Sequence, residues 1–148
     1  MKRILLLAFI IFSTILGAQN ANELTSYFEN DKIKIEYKYK NCIYLESFDS
    51  EYVFFEITNK TDSEINISWQ EQLWYNDICT NCEHESPEFR KKIIMLANTI
   101  YSADCNNLKN TSIFSKFTEN LENMPGVNTI DALTKFELNN LTITTNEN

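Results

Sequence analysis

Apolar and polar residues alternate along both halves of residues 51–75. The apolar positions of one parity are Val53, Phe55, Ile57, Ile65, Ile67 and Trp69. Period-two alternation of β-branched and aromatic residues is typical of a strand with one buried face. The polar segment 59–63, NKTDS, separates the halves, and its Asn, Asp and Ser side chains favour a tight reversal. The pattern therefore predicts a long central β-hairpin, whose second strand continues past a bulge near Glu71.

Strand patterns also occur on both sides of this hairpin. Residues 32–40, KIKIEYKYK, alternate apolar with charged positions, and the outward lysines favour the edge of a sheet. Residues 89–96, 99–105 and 133–144 are predicted strands, the last with a bulge at Asn139 and Asn140 where the apolar parity changes. Residues 112–124 fit both strand and helix spacing, so we predict a strand to about Thr118 and then a loop or short helix. Residues 76–87 are predicted to form an exposed loop.

These elements add up to about seven strands, with turn signals at intervals suited to a sandwich. Over residues 32–144 the pattern resembles immunoglobulin-like β-sandwiches in general. The resemblance predicts an all-β domain, an immunoglobulin-like antiparallel β-sandwich of about seven strands, and it implies no function. Cys42 and Cys105 bracket Trp69, but Cys42 precedes the first strand of the hairpin, which departs from the antibody arrangement.

The first 18 residues have the three parts of a secretory signal peptide. Lys2 and Arg3 precede an apolar run over residues 4–12, and Gly17 and Ala18 precede Gln19. The run is shorter than the roughly 20 residues that span a bilayer, and Gln19 stands where a lipoprotein signal requires Cys. The leader resembles those of exported proteins of Bacteroidetes-type bacteria. We therefore predict a secreted or periplasmic protein without stable membrane insertion: signal peptide 1–18, linker or terminal arm 19–31, sandwich domain 32–144 and tail 145–148.

Composition narrows the possible functions. The chain has 148 residues, 13% of them aromatic and 43% hydrophobic, which suits one folded domain and excludes general disorder. The chain has only two glycines, which argues against a phosphate-binding loop, because such loops need glycine for close backbone approach. The formal net charge of -8 disfavours nucleic-acid binding and would attract a basic protein. We predict a monomer whose partner, if it has one, is basic.

Four cysteines in an exported chain predict two disulfides, for which three connectivities exist. We prefer Cys42 with Cys105 and Cys79 with Cys82, although the other pairings would connect the 79–82 loop to strand ends. The Cys79-Thr80-Asn81-Cys82 sequence also allows a thiol-disulfide oxidoreductase as an alternative. Glutamates within residues 83–88 would raise the thiol pKa, however, and no βαβ pattern surrounds the motif, so a structural clip is favoured.

Other candidate chemistry centres on the same loop. Cys79, Cys82 and His84 could bind a metal ion, but a fourth ligand is lacking, so we predict no metal site and no cofactor. His84 is the only histidine and lies among glutamates, which argues against a catalytic site. Trp74, Tyr75 and His84 form the possible binding surface. The sequence thus favours a non-enzymatic binding or structural module, with the oxidoreductase or a small acidic inhibitor or immunity-type protein of a basic partner as alternatives.

Overall fold

The computed structural model describes residues 23–45, 47–83, 86–108, 110–119, 121, 125–127 and 129–145. The predicted signal peptide and His84 lie outside the described residues. The described residues form nine strands: β1 (Thr25–Glu29), β2 (Ile33–Cys42), β3 (Ser50–Asn59), β4 (Ile65–Tyr75), β5 (Ile78–Cys79), β6 (Arg90–Met95), β7 (Ile100–Ser102), β8 (Ser112–Phe117) and β9 (Leu133–Thr145). One 3-10 turn, Pro87–Phe89, precedes β6.

The strands form two antiparallel sheets. In the first sheet β1 pairs with β2 and β2 pairs with β3 along its whole length, so β7 and β8, which also pair with β3, share the row on its other side. In the second sheet β9 pairs with β4 from end to end, so β5 and β6 share the opposite row. The nine strands therefore occupy four rows in the first sheet and three in the second.

The prediction of an all-β antiparallel sandwich is confirmed. Immunoglobulin constant domains place their third strand in the second sheet and their fourth and fifth in the first. Here the first three strands are neighbours in one sheet, and β4 begins the other. The pairing therefore does not establish the immunoglobulin-like strand order, which stays a prediction.

The hydrophobic core lies between the two sheets and follows from the alternation in sequence. Both sheets contribute to one cluster of buried side chains: Ile33, Ile35, Val53, Phe55, Ile57, Ile65, Ile67, Trp69, Leu73, Ile93, Met95, Ile113, Leu133 and Leu138. Trp69 is only 3% exposed, as predicted. Each such side chain contributes about 1.5–3 kcal/mol by leaving water, and this shared apolar layer fixes the sheets face to face.

Two predictions about the first sheet are wrong. Residues 32–40 were predicted to form an edge strand, but β2 lies between β1 and β3. Residues 19–31 were predicted to be a linker or terminal arm, but Thr25–Glu29 within them form β1. The edge strand of the first sheet is β1. Its five residues pair with β2, and Tyr27 within it packs against the core.

The predicted bulges, loop and strand end are confirmed in part. Asn140 has a φ of 54°, and the β4–β9 register shifts beside it, so the predicted bulge at Asn139 and Asn140 is confirmed. In β4 the shifts fall between Ser68 and Gln70 and between Trp74 and Tyr75, rather than at Glu71. The predicted loop 76–87 contains the two-residue strand β5. β8 ends at Phe117, close to the predicted strand end.

The segment between β7 and β8 crosses the outer face of the first sheet. Cys105 in this segment forms a disulfide with Cys42 of β2, with Cα atoms 5.4 Å apart, although β2 and the β7/β8 row lie on opposite sides of β3. Residues 103–108 and 110–111, here called the crossing segment, must therefore pass over β3. The N–H of Phe55 donates to the carbonyl of Thr111 at 2.8 Å where the segment returns. Phe54, of outer-face parity, is consequently only 2% exposed.

Candidate functional site

An aromatic hollow opens on the outer face of the first sheet. Its floor is the cross-strand pair Tyr52 on β3 and Phe114 on β8. The β2–β3 connection and the crossing segment form its walls, and its volume is about 560 Å³. The lining residues are Tyr44, Ser47, Phe48, Ser50, Tyr52, Cys105, Asn106, Leu108, Phe114 and Phe117. We refer to this site as the aromatic hollow.

The rings of the hollow are held by edge-to-face packing. Phe114 packs in this way on Tyr52, with ring centroids 5.7 Å apart, and on Phe117 at 5.0 Å. Phe48, from the opposite wall, packs on Phe117 at 5.8 Å. Aromatic pairs of this geometry each contribute about 0.5–1.5 kcal/mol beyond their buried area. The arrangement gives a concave surface whose rings are already ordered.

Large apolar side chains are exposed in the lining of the hollow and in the β2–β3 connection that forms one of its walls. Ile43 is 81% exposed and Leu45 is fully exposed in the β2–β3 connection. Phe48, Leu108 and Phe117 are exposed to about two fifths within the lining itself. Scattered apolar side chains are normal on a surface, but an apolar concentration around a concavity is typical of a contact surface.

Hydrogen bonds fix the walls of the hollow. The N–H of Tyr44 donates to a carboxylate oxygen of Asp49 at 2.9 Å, and the N–H of Asp49 donates to Glu119 Oε1 at 2.9 Å. The Ser50 hydroxyl donates to the carbonyl of Phe48 at 3.0 Å. Asp49 and Glu119 therefore place negative charge close to the rings. Burial raises the pKa of the Tyr52 phenol, so this ring stays neutral at physiological pH.

Of the predicted binding surface, Trp74 and Tyr75 are described and His84 lies outside the described residues. Trp74 and Tyr75 are adjacent in β4 and lie on opposite faces, so only Trp74 faces outward. The Lys135 ammonium lies 4.2 Å from the centroid of the Trp74 ring and covers it. The Tyr75 hydroxyl donates to the carbonyl of Phe114 at 2.6 Å, and burial raises its pKa to about 12. Tyr75 thus supports the floor of the aromatic hollow from beneath.

The second cysteine pair is a closed local clip. Cys79 and Cys82 form a disulfide with Cα atoms 5.7 Å apart, which gives the connectivity that the sequence analysis preferred. Asn81, between them, is buried; it donates to the carbonyl of Glu71 at 2.8 Å and accepts from the N–H of Leu73 at 2.9 Å. The clip therefore holds its loop against β4. The described residues contain no free cysteine and no cluster suited to a metal ion.

Glu71 is an acidic side chain inside the sandwich that the sequence analysis treated only as a bulge position. It is 3% exposed, and Lys91 Nζ lies 3.7 Å from its Oε2. Burial raises the pKa of Glu71 to about 7, although the charge of Lys91 acts in the opposite direction. In the sequence, its burial was indicated by its position between Trp69 and Leu73 in the inward-facing alternation of β4. We assign Glu71 no catalytic role.

Sequence reasoning missed the aromatic hollow. Phe48, Tyr52 and Phe114 were visible as aromatics, but nothing local indicates that a later segment passes above them. No helix of the described residues is long and apolar enough to cross a membrane. No family model, no curated protein and no solved structure matches this chain.

Proposed function

We propose that this protein is a non-enzymatic, exported binding module that recognises its partner through the aromatic hollow. The observation that carries the proposal is the preordered set of five aromatic side chains around a cavity of about 560 Å³. Binding cavities commonly measure about 300–1,000 Å³ and combine an apolar lining with a few polar groups. Here Ser47, Ser50 and Asn106 are the polar residues of the lining.

The partner that this surface suits best is a basic protein segment. A Lys or Arg side chain can place its aliphatic stem on Leu108 and its cationic group against the ring faces. The net charge of -8 would draw such a segment in, and Asp49 and Glu119 lie beside the rings. The same proposal places the protein in the periplasm or outside the cell. The two disulfides are compatible with that location.

Calorimetric titration with an arginine-rich peptide tests the proposal, with a glutamate-rich peptide of equal length as the matched probe. We expect binding of the arginine-rich peptide alone, weakened at least tenfold in Phe117→Ala. Trp74→Ala serves as the control, because it removes an aromatic side chain from the opposite sheet. No binding to wild type, or equal affinity of wild type and Phe117→Ala, would refute the proposed site. A loss confined to Trp74→Ala would favour the surface predicted from sequence.

The alternative functions make different predictions. A thiol-disulfide oxidoreductase requires that the Cys79–Cys82 bond be readily reduced and support insulin reduction. The buried hydrogen bonds of Asn81 support the structural clip instead. An inhibitor or immunity-type protein would bind one basic enzyme tightly and with marked salt dependence. Such a protein would be a special case of the proposed module, with the same hollow as its contact.

A further inference from the structure

A second hollow opens on the outer face of the second sheet, at the bulge of β9. Ser68 pairs with Thr142 and Gln70 pairs with Asn139, so two residues of β9 lie opposite Trp69 alone. A hollow of about 260 Å³ lies beside this irregularity. It opens outward, because the side chains of Ser68 and Gln70 alternate with the buried Trp69 along β4. We refer to this site as the polar hollow.

The lining of the polar hollow has a uniform chemistry. Every lining residue carries a side-chain N–H or O–H donor. None of these described residues carries a carboxylate, although the chain contains 21 acidic residues. The lining residues are Ser68, Trp69, Gln70, Arg90, Lys91, Asn140 and Thr142. A concave surface that combines hydrogen-bond donors with positive charge and lacks carboxylates suits an anion.

The strand register places positive charge on one side of the polar hollow. Arg90 of β6 stands opposite Gln70 of β4, and Lys92 stands opposite Ser68. Both cationic residues are exposed. The hydroxyl and amide side chains of β4 and β9 lie on the other side. The donors of the site therefore come from three neighbouring strands.

Lys91 adds a positive charge that is held in place. Its ammonium donates to the carbonyl of Glu88 at 2.8 Å and lies 3.7 Å from Oε2 of Glu71. Burial raises the pKa of Glu71 to about 7. Close to neutral pH this carboxyl is therefore protonated in about half of the molecules and cancels the charge of Lys91 only in part.

Several neutral donors of the hollow are available to a ligand. Within the described part of the chain, the amide nitrogens of Gln70 and Asn140 donate no hydrogen bond. The hydroxyls of Ser68 and Thr142 lie 2.8 Å apart and use one of their two hydrogens for that contact. The other contacts of the Thr142 hydroxyl, with the carbonyls of Ser68 and Asn140, are longer, at 3.4 and 3.3 Å.

The local charge of this face differs from that of the whole chain. The net charge of -8 repels anions at long range. At physiological ionic strength, however, interactions between exposed charges are screened over about 8 Å, so the cations of β6 dominate at the hollow. Glu137, on the same face of β9, forms an ion pair with Lys135 at 2.7 Å.

We propose that the polar hollow binds an oxyanion, which is the sulfate, phosphate or carboxylate group of a ligand. Arg90 would supply charge-assisted hydrogen bonds, and its five N–H donors allow it to keep another contact at the same time. Gln70, Asn140 and the Ser68–Thr142 hydroxyl pair would supply neutral donors. This site is independent of the aromatic hollow, which lies on the other sheet.

An NMR titration of the labelled protein tests this inference, with sodium sulfate, phosphate and acetate added separately and the ionic strength kept constant with sodium chloride. We expect saturable shifts at residues 68–70, 90–92 and 139–142 with at least one oxyanion, and none with chloride alone. Arg90→Gln should weaken this binding about tenfold, because it removes the charge-assisted hydrogen bonds. Lys40→Gln on β2 is the matched control, because it removes one positive charge from the other sheet.

Asn140→Gly is a second variant of the site. Asn140 has a φ of 54°, and glycine adopts this conformation readily while it lacks the amide. We expect severalfold weaker binding, with the amide signals of the other sheet unchanged. This variant tests the site even where Arg90→Gln disturbs the fold.

Three results would overturn the proposal. The first is the lack of a saturable shift with every oxyanion up to about 50 mM. The second is an equal shift with chloride, which would mean an adventitious ion only. The third is binding that Arg90→Gln and Asn140→Gly weaken no more than Lys40→Gln does.

Discussion

Aromatic side chains form two clusters on opposite faces of the first sheet, and the two clusters differ in what covers them. On the inner face Tyr27, Tyr37 and Phe55 pack with Phe136 of the second sheet and close the core. On the outer face Tyr52 and Phe114 are covered only in part, by the crossing segment. A disulfide attaches this segment to β2. β3 supplies both clusters from alternate residues. Aromatic side chains that the second sheet covers thus stabilise the fold. Those that only a loop covers remain available for binding.

Replacing a ring of the inner cluster should have the largest effect. Phe55 is 1% exposed and contacts rings of both sheets. We expect Phe55→Ala to lower the free energy of unfolding by about 3–5 kcal/mol, because it removes buried apolar area and leaves a cavity. Chemical denaturation with a fixed m-value would measure this loss. A loss below about 1 kcal/mol would mean that the inner cluster is not the main core.

Opening the disulfide that ties down the crossing segment should come next. The paired replacement of Cys42 and Cys105 by Ser should cost about 2–4 kcal/mol, because a loop spanning 63 residues is no longer closed. It should also raise hydrogen exchange in the crossing segment. Replacing Cys79 and Cys82 is the matched control, with a smaller expected loss since those residues are only three positions apart. Equal losses for the two pairs would contradict the assigned roles.

The dependence of folding stability on pH should show the effect of the buried Glu71. Its pKa of about 7 in the folded protein lies above the ordinary value of 4.5, so the folded state holds the proton more tightly. This contribution to stability is complete below about pH 4.5 and is lost as pH rises through about 7. The change is roughly 3 kcal/mol at most. Glu71→Gln should flatten this part of the stability-pH curve, and an unchanged slope would show that Glu71 titrates normally.

Replacing a ring of the outer hollow should affect stability less than replacing a ring of the inner cluster. Phe117 is 38% exposed at the end of β8. We expect Phe117→Ala to cost about 1–3 kcal/mol, since its ring packs edge to face on both Phe48 and Phe114, while it weakens peptide binding. Thermal unfolding beside the titration separates the two effects. A loss as large as that of Phe55→Ala would make the outer ring part of the core and remove the contrast between the clusters.

Local patterns explain what the sequence could predict. The β3–β4 hairpin and the burial of Trp69 follow from strict alternation, which a single strand expresses by itself. The bulge in β9 was visible as a change of parity at Asn140. The antiparallel sandwich followed from the number and spacing of such strands.

What could not be predicted depends on contacts between distant segments. β1 has five residues, too few for a clear pattern, and the outward lysines of β2 by themselves favour an edge strand. The aromatic hollow exists because the crossing segment reaches β2 through Cys105. Alternation shows that Tyr52 faces outward but not what passes above it. Lys135, 61 positions after Trp74 in the chain, lies over the Trp74 ring, a contact that the alternation within β4 does not reveal.

Mapping the contact site by NMR tests the central claim most directly. The labelled protein would be titrated with the arginine-rich peptide, and shifts of backbone and aromatic signals would be followed. We predict that the shifts cluster in residues 43–52 and 103–117, with the rings of Phe48, Phe114 and Phe117 moving most. Shifts confined to the Trp74 indole and residues 76–83, or no shifts at all, would contradict the proposal that the aromatic hollow is the binding site.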